Sequence, residues 1–135
     1  MTTKSAGFVA LALIVALAAG WVWGASGKAA VQHERVRVDG QLHFEKARAH
    51  VLDGRLRLVG NDYQGAGASF VAAVTELETL QRMLRELSQA ELAGRIEIVL
   101  SHVKGARDAA ASQNANAWGA ADAALQALKG ISLPE

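Results

Sequence analysis

An uninterrupted apolar segment near the N-terminus constrains the fold of this chain more than any other feature. Every residue from Gly7 to Ala25 is uncharged and nearly all are apolar, and an α-helix needs about 20 such residues to cross the hydrocarbon core of a bilayer. Lys4 precedes this segment and Lys28 follows it. We therefore predict a transmembrane helix over residues 7–25, preceded by a short tail over residues 1–6.

Two kinds of residue indicate what this helix contacts. Trp21 and Trp23 lie at its C-terminal end, where amphipathic rings favour the boundary between membrane and water. Small residues recur at every fourth position: Ala12, Ala16, Gly20 and Gly24. They therefore share one face of the helix. Such a face lets a second transmembrane helix approach closely, although alanine and glycine are also simply common in apolar segments. We predict a helix-packing face there.

The alternative to a retained anchor is a cleaved signal peptide, because small residues follow the apolar run at Ala25, Ser26 and Gly27. The bulky Trp21 and Trp23 lie close to that cleavage position and favour retention. Flanking charge does not decide the orientation, but a C-terminal domain crosses a membrane with little regard to such charge. We expect a single-pass signal anchor in a bacterial inner membrane, with the lipid bilayer as a partner and the remaining chain in the periplasm.

The composition of the chain favours an all-α fold. Apolar residues make up 51% and aromatic residues 5%, so a core must consist mainly of Ala, Leu and Val, which suits closely packed helices. The only proline is Pro134, so no proline interrupts an upstream helix. A formal net charge of +1 does not favour a nucleic-acid partner, and the absence of cysteine excludes disulfides and thiolate chemistry.

Beyond residue 40, the first amphipathic segment carries apolar residues at alternating spacings of three and four. Glu45 interrupts this row, which we predict to be the buried face and which contains Val38, Leu42, Ala49, Leu52, Leu56 and Val59. Gly60 is expected to end this helix and Asn61 to begin the next. Residues 26–40 are left open as a linker or a helix extension, because Asp39 and Gly40 weaken the helical pattern there.

Three further helices are expected. The second has the most regular stripe, which contains Tyr63, Ala66, Phe70, Ala73, Leu77, Leu80, Leu84 and Leu87. The third begins at the capping-box sequence Ser88-Gln89-Ala90-Glu91, and its stripe contains Leu92, Ile96, Val99, Val103, Ala106 and Ala110. After a turn at Ser112-Gln113-Asn114, the fourth helix extends from about Asn116 to Gly130 and buries some of Ala117, Trp118, Ala121, Ala124, Leu125 and Leu128.

Short turns between helices favour antiparallel neighbours. We therefore predict a bundle of about four helices, arranged as two helical hairpins over residues 41–130, with a C-terminal tail over residues 131–135.

The first hairpin resembles a tetratricopeptide repeat, because small, aromatic, alanine, aromatic and alanine residues stand at that family's spacing: Gly54, Tyr63, Ala66, Phe70 and Ala73. The resemblance implies a protein-binding helical scaffold and carries no catalytic residue.

Sequence motifs for chemistry are missing. Of the four histidines, His43 and His50 share a helix face but stand two turns apart, which is too far for one metal ion, and no metalloprotease or di-iron motif occurs. No serine has the context of a nucleophile elbow. We therefore expect no catalytic residue, no metal and no cofactor. Asn114, Asn116 and Trp118 are candidate partner contacts, although the two asparagines are also typical turn and cap residues.

An anchor, a compact helical module and the lack of catalytic motifs together favour one functional hypothesis. It is a non-catalytic accessory subunit that docks on a larger membrane protein complex and stabilises it, with respiratory, photosynthetic, transport and envelope complexes all open. The first alternative is a membrane-anchored, tetratricopeptide-like adaptor that captures a soluble protein or peptide. A third class would bind a ligand in a cavity near His43 or His50, but alanine-rich seams favour tight packing.

Overall fold

The computed structural model describes the backbone of residues 3–134 and the side chains of residues 31–134. In this range the chain forms four helices: α1 (Thr3–Val59), α2 (Tyr63–Glu86), α3 (Ala90–Ala111) and α4 (Asn116–Lys129). The predicted all-α class is confirmed. The bounds of α1 include residues 26–40, for which the sequence left a linker and a helix extension open.

Contacts divide the chain into two compact units, Met1–Val36 and Arg37–Glu135. The predicted transmembrane helix over residues 7–25 lies in the first unit, outside the residues whose side chains are described, and stays a prediction. The same holds for Trp21 and Trp23 and for the helix-packing face of Ala12, Ala16, Gly20 and Gly24. Among the described residues, no helix combines the length and the apolar character that crossing a membrane requires.

The second unit is an antiparallel four-helix bundle, as predicted. Gly54 near the end of α1 lies against Phe70 near the start of α2, and Lys104 of α3 pairs with Glu78 of α2 at 3.0 Å. Helix α4 packs on α3 and also returns to α1, where the side chain of Arg55 meets that of Asp122. Each helix of this unit therefore has two neighbours, and the core lies between all four.

The predicted stripes of α2, α3 and α4 are confirmed as the inner faces of these helices. Tyr63, Leu87 and Leu92, at helix ends, are half-buried. The stripe residues that are buried are Ala66, Phe70, Ala73, Leu77, Leu80, Leu84, Ile96, Val99, Val103, Ala106, Ala110, Ala117, Ala121, Ala124 and Leu128. Their predominance of Ala, Leu and Val agrees with a core built by close helix packing.

The predicted buried face of α1 is wrong. All six residues of the predicted row are exposed: Val38, Leu42, Ala49, Leu52, Leu56 and Val59. The buried face lies on the other side of the helix and contains Gly40, Phe44, Ala47, Val51, Gly54 and Leu58. Both rows alternate spacings of three and four, so helical periodicity alone cannot choose between them. Contact with α2 determines which row is buried, because only a glycine at position 54 leaves room for the ring of Phe70. A Cβ atom at position 54 would lie 2.6 Å from Phe70 Cε1.

All three turns of the bundle end a helix in the same way. Each contains a non-glycine residue with left-handed backbone: Asn61 (φ 56°), Ser88 (φ 59°) and Gln113 (φ 51°). The amide that follows bonds to a carbonyl five residues earlier, as in Gln89 N to Leu84 O at 2.8 Å. These are Schellman motifs, which satisfy carbonyl groups left free at the end of a helix.

Two predicted helix starts are corrected by these turns. Asp62, rather than Asn61, caps α2, and its carboxylate accepts a hydrogen bond from the Gly65 amide at 2.8 Å. Ser88 does not form the predicted capping box, because its left-handed backbone closes α2, and the residue before α3, Gln89, makes no side-chain cap bond.

Helix α4 has its predicted bounds. It begins at Asn116 and ends before Gly130. Beyond it the chain is not helical, yet Ile131 is buried in the core and Leu133 packs against it. These two side chains cover the end of the bundle near Phe44.

Candidate protein-interaction surface

Within the second unit, five large apolar side chains lie exposed along one side of α1. The exposed fractions are 52% for Val38, 49% for Leu42, 47% for Leu52, 69% for Leu56 and 61% for Val59. We call these five residues, together with the exposed Ala49, the outward face. Single exposed apolar residues are ordinary, but an apolar row of this kind is typical of a surface that binds another macromolecule.

The outward face has the spacing of a helix–helix seam. Leu42, Ala49 and Leu56 are seven residues apart, and so are Val38, Glu45, Leu52 and Val59. These are the two inner positions of a heptad repeat, at which one helix packs against another. Glu45, with 64% of its side chain exposed, is the one charged residue in this row.

Basic residues border the outward face on the side of α4. Arg55 Nε lies 2.5 Å from Asp122 Oδ1, and the guanidinium carbon lies 5.9 Å from the ring centre of Trp118, within range of a cation–π contact. Arg48, one heptad earlier, is half exposed and lies 4.0 Å from Glu45. The predicted contact residue Trp118 is therefore half-buried beside this basic edge.

The two asparagines predicted with Trp118 do not join this surface. Asn114 Oδ1 accepts a hydrogen bond from the Asn116 amide at 2.9 Å, which fixes the turn before α4. Both residues are exposed at the end of the bundle. The sequence left both a turn role and a partner-contact role open for the two asparagines, and this hydrogen bond supports the turn role.

A groove of about 270 Å³ separates α1 from α4 next to the outward face. Leu52 belongs both to this groove and to the outward face. The lining residues are Arg48, Leu52, Arg55, Asp122, Leu125, Gln126 and Lys129. The lining combines two leucines with three cations and one carboxylate, Asp122, and this excess of positive charge suits an amphipathic segment that carries acidic residues.

A polar cluster borders the outward face on the side of α2. Asp53 Oδ2 accepts hydrogen bonds from Arg57 Nε at 2.8 Å and from Ser69 Oγ at 2.5 Å, and Arg57 Nη1 reaches Asp62 at 3.1 Å. The Ser69 hydroxyl, followed by the Arg57 guanidinium, lowers the pKa of Asp53. The Gly65 amide, followed by Arg57, lowers the pKa of Asp62. These carboxylates are held ionised and tie α1 to α2, which is a structural arrangement rather than that of a general acid at neutral pH.

The histidines considered as ligands make ordinary contacts. His43 Nδ1 is hydrogen-bonded to Glu76 of α2, and His50 is half-buried on the same side of α1. In the part of the chain that the structure describes, no three His, Asp or Glu side chains gather as a metal site would require.

Comparisons with known protein families, with curated proteins and with solved structures found no match to this chain. The function is therefore inferred from its residues and their geometry. The outward face was missed as a surface because the sequence pattern assigned its residues to the core. The signal that could have found it is the presence of two apolar rows on one helix, since a helix at the edge of a four-helix bundle buries only one.

Proposed function

We propose that this chain is a non-catalytic, single-pass accessory subunit of a larger membrane protein complex. The apolar segment over residues 7–25 anchors it in a bacterial inner membrane, and the helical bundle lies on the periplasmic side. The outward face of α1 engages a neighbouring subunit, and the row of Ala12, Ala16, Gly20 and Gly24 packs against a transmembrane helix of the complex. The complex, whether respiratory, photosynthetic, transport or envelope, is stabilised by these contacts.

The observation that supports this proposal is the outward face itself. Its five large side chains are about half exposed or more, and burial of apolar surface is the main favourable term in protein association. Exposing such a row in water is costly for solubility, which a permanent neighbour would remove. The bundle core is complete without these residues, so their apolar character is not needed for folding.

The experiment is purification of the native protein from its own membranes in mild detergent, followed by size exclusion and mass spectrometry of co-eluting proteins. We expect wild type to elute in a stoichiometric complex. Replacing Leu52 and Leu56 together by Gln should release the neighbour that contacts the outward face, because both side chains lie on that face. Ile98→Gln is the matched control, since Ile98 is also exposed, at 57%, but lies on α3. A wild-type protein that elutes as a lone monomer would overturn the proposal.

The groove between α1 and α4 favours a second candidate, a membrane-anchored adaptor for a soluble protein or peptide. This hypothesis also follows from the resemblance of the first hairpin to a tetratricopeptide repeat. The groove-lining cations Arg48, Arg55 and Lys129 would recognise an acidic segment. Replacing Lys129 by Glu should abolish capture of such a partner, whereas a subunit held through the outward face and the anchor should stay in its complex.

A further inference from the structure

The outward face and the buried face lie on nearly opposite sides of α1. In the heptad repeat, Leu42 and Leu56 take the first inner position and Val38 and Leu52 the second. Phe44 and Leu58, which contact the core, stand on the far side of the helix. A second helix can therefore cover the outward face without displacing any helix of the bundle.

The two edges of the outward face carry one pair of opposite charges at matching positions, whereas Lys46 on the α2 edge matches the uncharged Gln41 on the α4 edge. Arg48 lies on the α4 edge, and Asp53 lies five residues later on the α2 edge. When two helices pack in parallel, a residue on the first edge lies beside the residue five positions later on the second edge of its partner. Arg48 of each copy thus faces Asp53 of the other, with 48% and 47% of these side chains exposed.

Antiparallel packing of the same face is disfavoured by charge. It places each edge against the same edge of the other helix, so Arg48 and Arg55 of one copy come next to the arginines of the other. Like charges at these positions are destabilising. The same arrangement brings Lys46 of the α2 edge next to Asp53 of the other copy, and the contacts between arginines offset that attraction. Only the parallel arrangement pairs Arg48 with Asp53 and keeps the arginines of the two copies apart.

We infer that the outward face of α1 binds a second copy of this chain through a parallel two-helix seam. The inference deepens the proposed function, on which it rests, by naming the neighbouring subunit: the complex contains this chain in pairs. Tethering favours the same orientation, because two copies held by the same N-terminal anchor begin their bundles at the same membrane surface. The small-residue row in the anchor then remains for the other subunits.

Glu45 gives this seam a characteristic weakness. It occupies an inner heptad position between Leu42 and Ala49, so the two copies of Glu45 meet across the symmetry axis. Facing carboxylates oppose association. Glu45→Leu should therefore tighten the pair, whereas a seam with a different partner that offers a cation to Glu45 would be weakened by the same substitution.

Cysteine cross-linking of the full chain in its native membranes tests the inference, and the chain has no cysteine of its own. Single variants Leu42→Cys, Ala49→Cys and Leu56→Cys are expected to form disulfide-linked dimers of identical chains under mild oxidation. Ile98→Cys on α3 is the matched control and should give only background. Arg48→Glu in the Leu42→Cys background should weaken association about ten-fold, because two ion pairs become two like-charge pairs. Arg95→Glu, at an exposed arginine of α3, is its control.

Each outcome distinguishes the inference from the proposed function. In an antiparallel pair, Leu42 and Leu56 are each about 20 Å from their own counterparts, so cross-linking at Ala49→Cys alone would overturn the parallel seam. Cross-linking to a chain of different mass would overturn the second copy as occupant but leave the accessory subunit intact. No cross-linked product at any of the three positions would overturn the inference, and the proposed function would fail with it only if wild type also eluted as a lone monomer.

Discussion

At the scale of single residues, Gly54 determines how closely α1 and α2 approach. The ring of Phe70 is fully buried and occupies the space in which a Cβ atom at position 54 would lie. The sequence pattern identified both residues, through the spacing shared with tetratricopeptide repeats, but gave no contact between them. Their packing explains why a glycine, normally unfavourable within a helix, stands within α1.

Replacing Gly54 by alanine should destabilise the bundle by about 1–2 kcal/mol, because overpacking costs more than the gain in helix propensity. Gly94→Ala is the control, since nothing lies within 4 Å of a Cβ atom at that position on α3. That control should stabilise the bundle by up to about 1 kcal/mol. Thermal unfolding of the detergent-solubilised chain, followed by circular dichroism, measures both. Equal changes in the two variants would contradict the contact between Gly54 and Phe70.

Asp53 is the residue at which stability and pH are coupled. Its pKa lies below the ordinary value of 3.8 in the folded chain, chiefly because of the Ser69 hydroxyl. A carboxyl whose folded pKa is lowered stabilises the fold above its unfolded pKa, and this contribution is lost as the pH falls through the folded pKa. The contribution is therefore complete at neutral pH and disappears in acid, below 3.8.

Asp53→Asn should lower the free energy of unfolding at pH 7 modestly and should approach wild type in acid. Denaturant unfolding at a series of pH values between 7 and about 2 measures the difference between the two proteins. Ser69→Ala, which removes the largest cause of the lowered pKa, should lose part of the same stabilisation. A difference between Asp53→Asn and wild type that persists unchanged in acid would show that ionisation is not its origin.

At the scale of elements, α1 differs from the other bundle helices because it has two apolar rows. Leu56 and Leu58 are neighbours of the same residue type, yet 69% of Leu56 is exposed and only 1% of Leu58. The row predicted as core is the richer in large apolar side chains, whereas the row that is buried contains glycine and alanine at half its positions. Small residues allow α1 to approach its neighbours closely, and this approach outweighs the larger side chains of the other row.

Leu58→Ala should cost about 2–5 kcal/mol of stability, because it opens a cavity in the core. Leu56→Ala should change the stability of the dilute protein by no more than about 0.5 kcal/mol. The pair is its own control, since the same substitution is made two residues apart in one helix. Chemical denaturation followed by circular dichroism measures both, and a Leu56→Ala loss as large as that of Leu58→Ala would place the outward face in the core.

At the scale of the whole molecule, the proposed subunit combines a membrane segment with a bundle that has one apolar outer side. The bundle holds α1 between α2 and α4, so the outward face is presented to a neighbour rather than to the core. The small-residue row in the anchor would contribute a second contact inside the membrane. The two contacts can be removed separately, which distinguishes a docked subunit from an adaptor.

Replacing Ala16 and Gly20 together by leucine should remove the chain from its complex, because bulky side chains prevent close approach of a second transmembrane helix. Ala18→Leu is the matched control, since position 18 lies on the opposite side of the helix. Co-purification from native membranes measures the association. An adaptor that needs its apolar segment only as an anchor would keep its partner in the wild type and in both variants.

The amino-acid sequence by itself determined the all-α class, the stripes and bounds of the last helix and the stripes of α2 and α3. Each of those helices has one main apolar row, so periodicity and burial agree. The starts of α2 and α3 depended on the left-handed turns at Asn61 and Ser88, which the sequence signals did not specify because neither residue is glycine. Only tertiary structure decided which row of α1 is buried and that Trp118 lies beside Arg55. Those choices depend on which side chains α2 and α4 place opposite α1, and local periodicity contains no information about them.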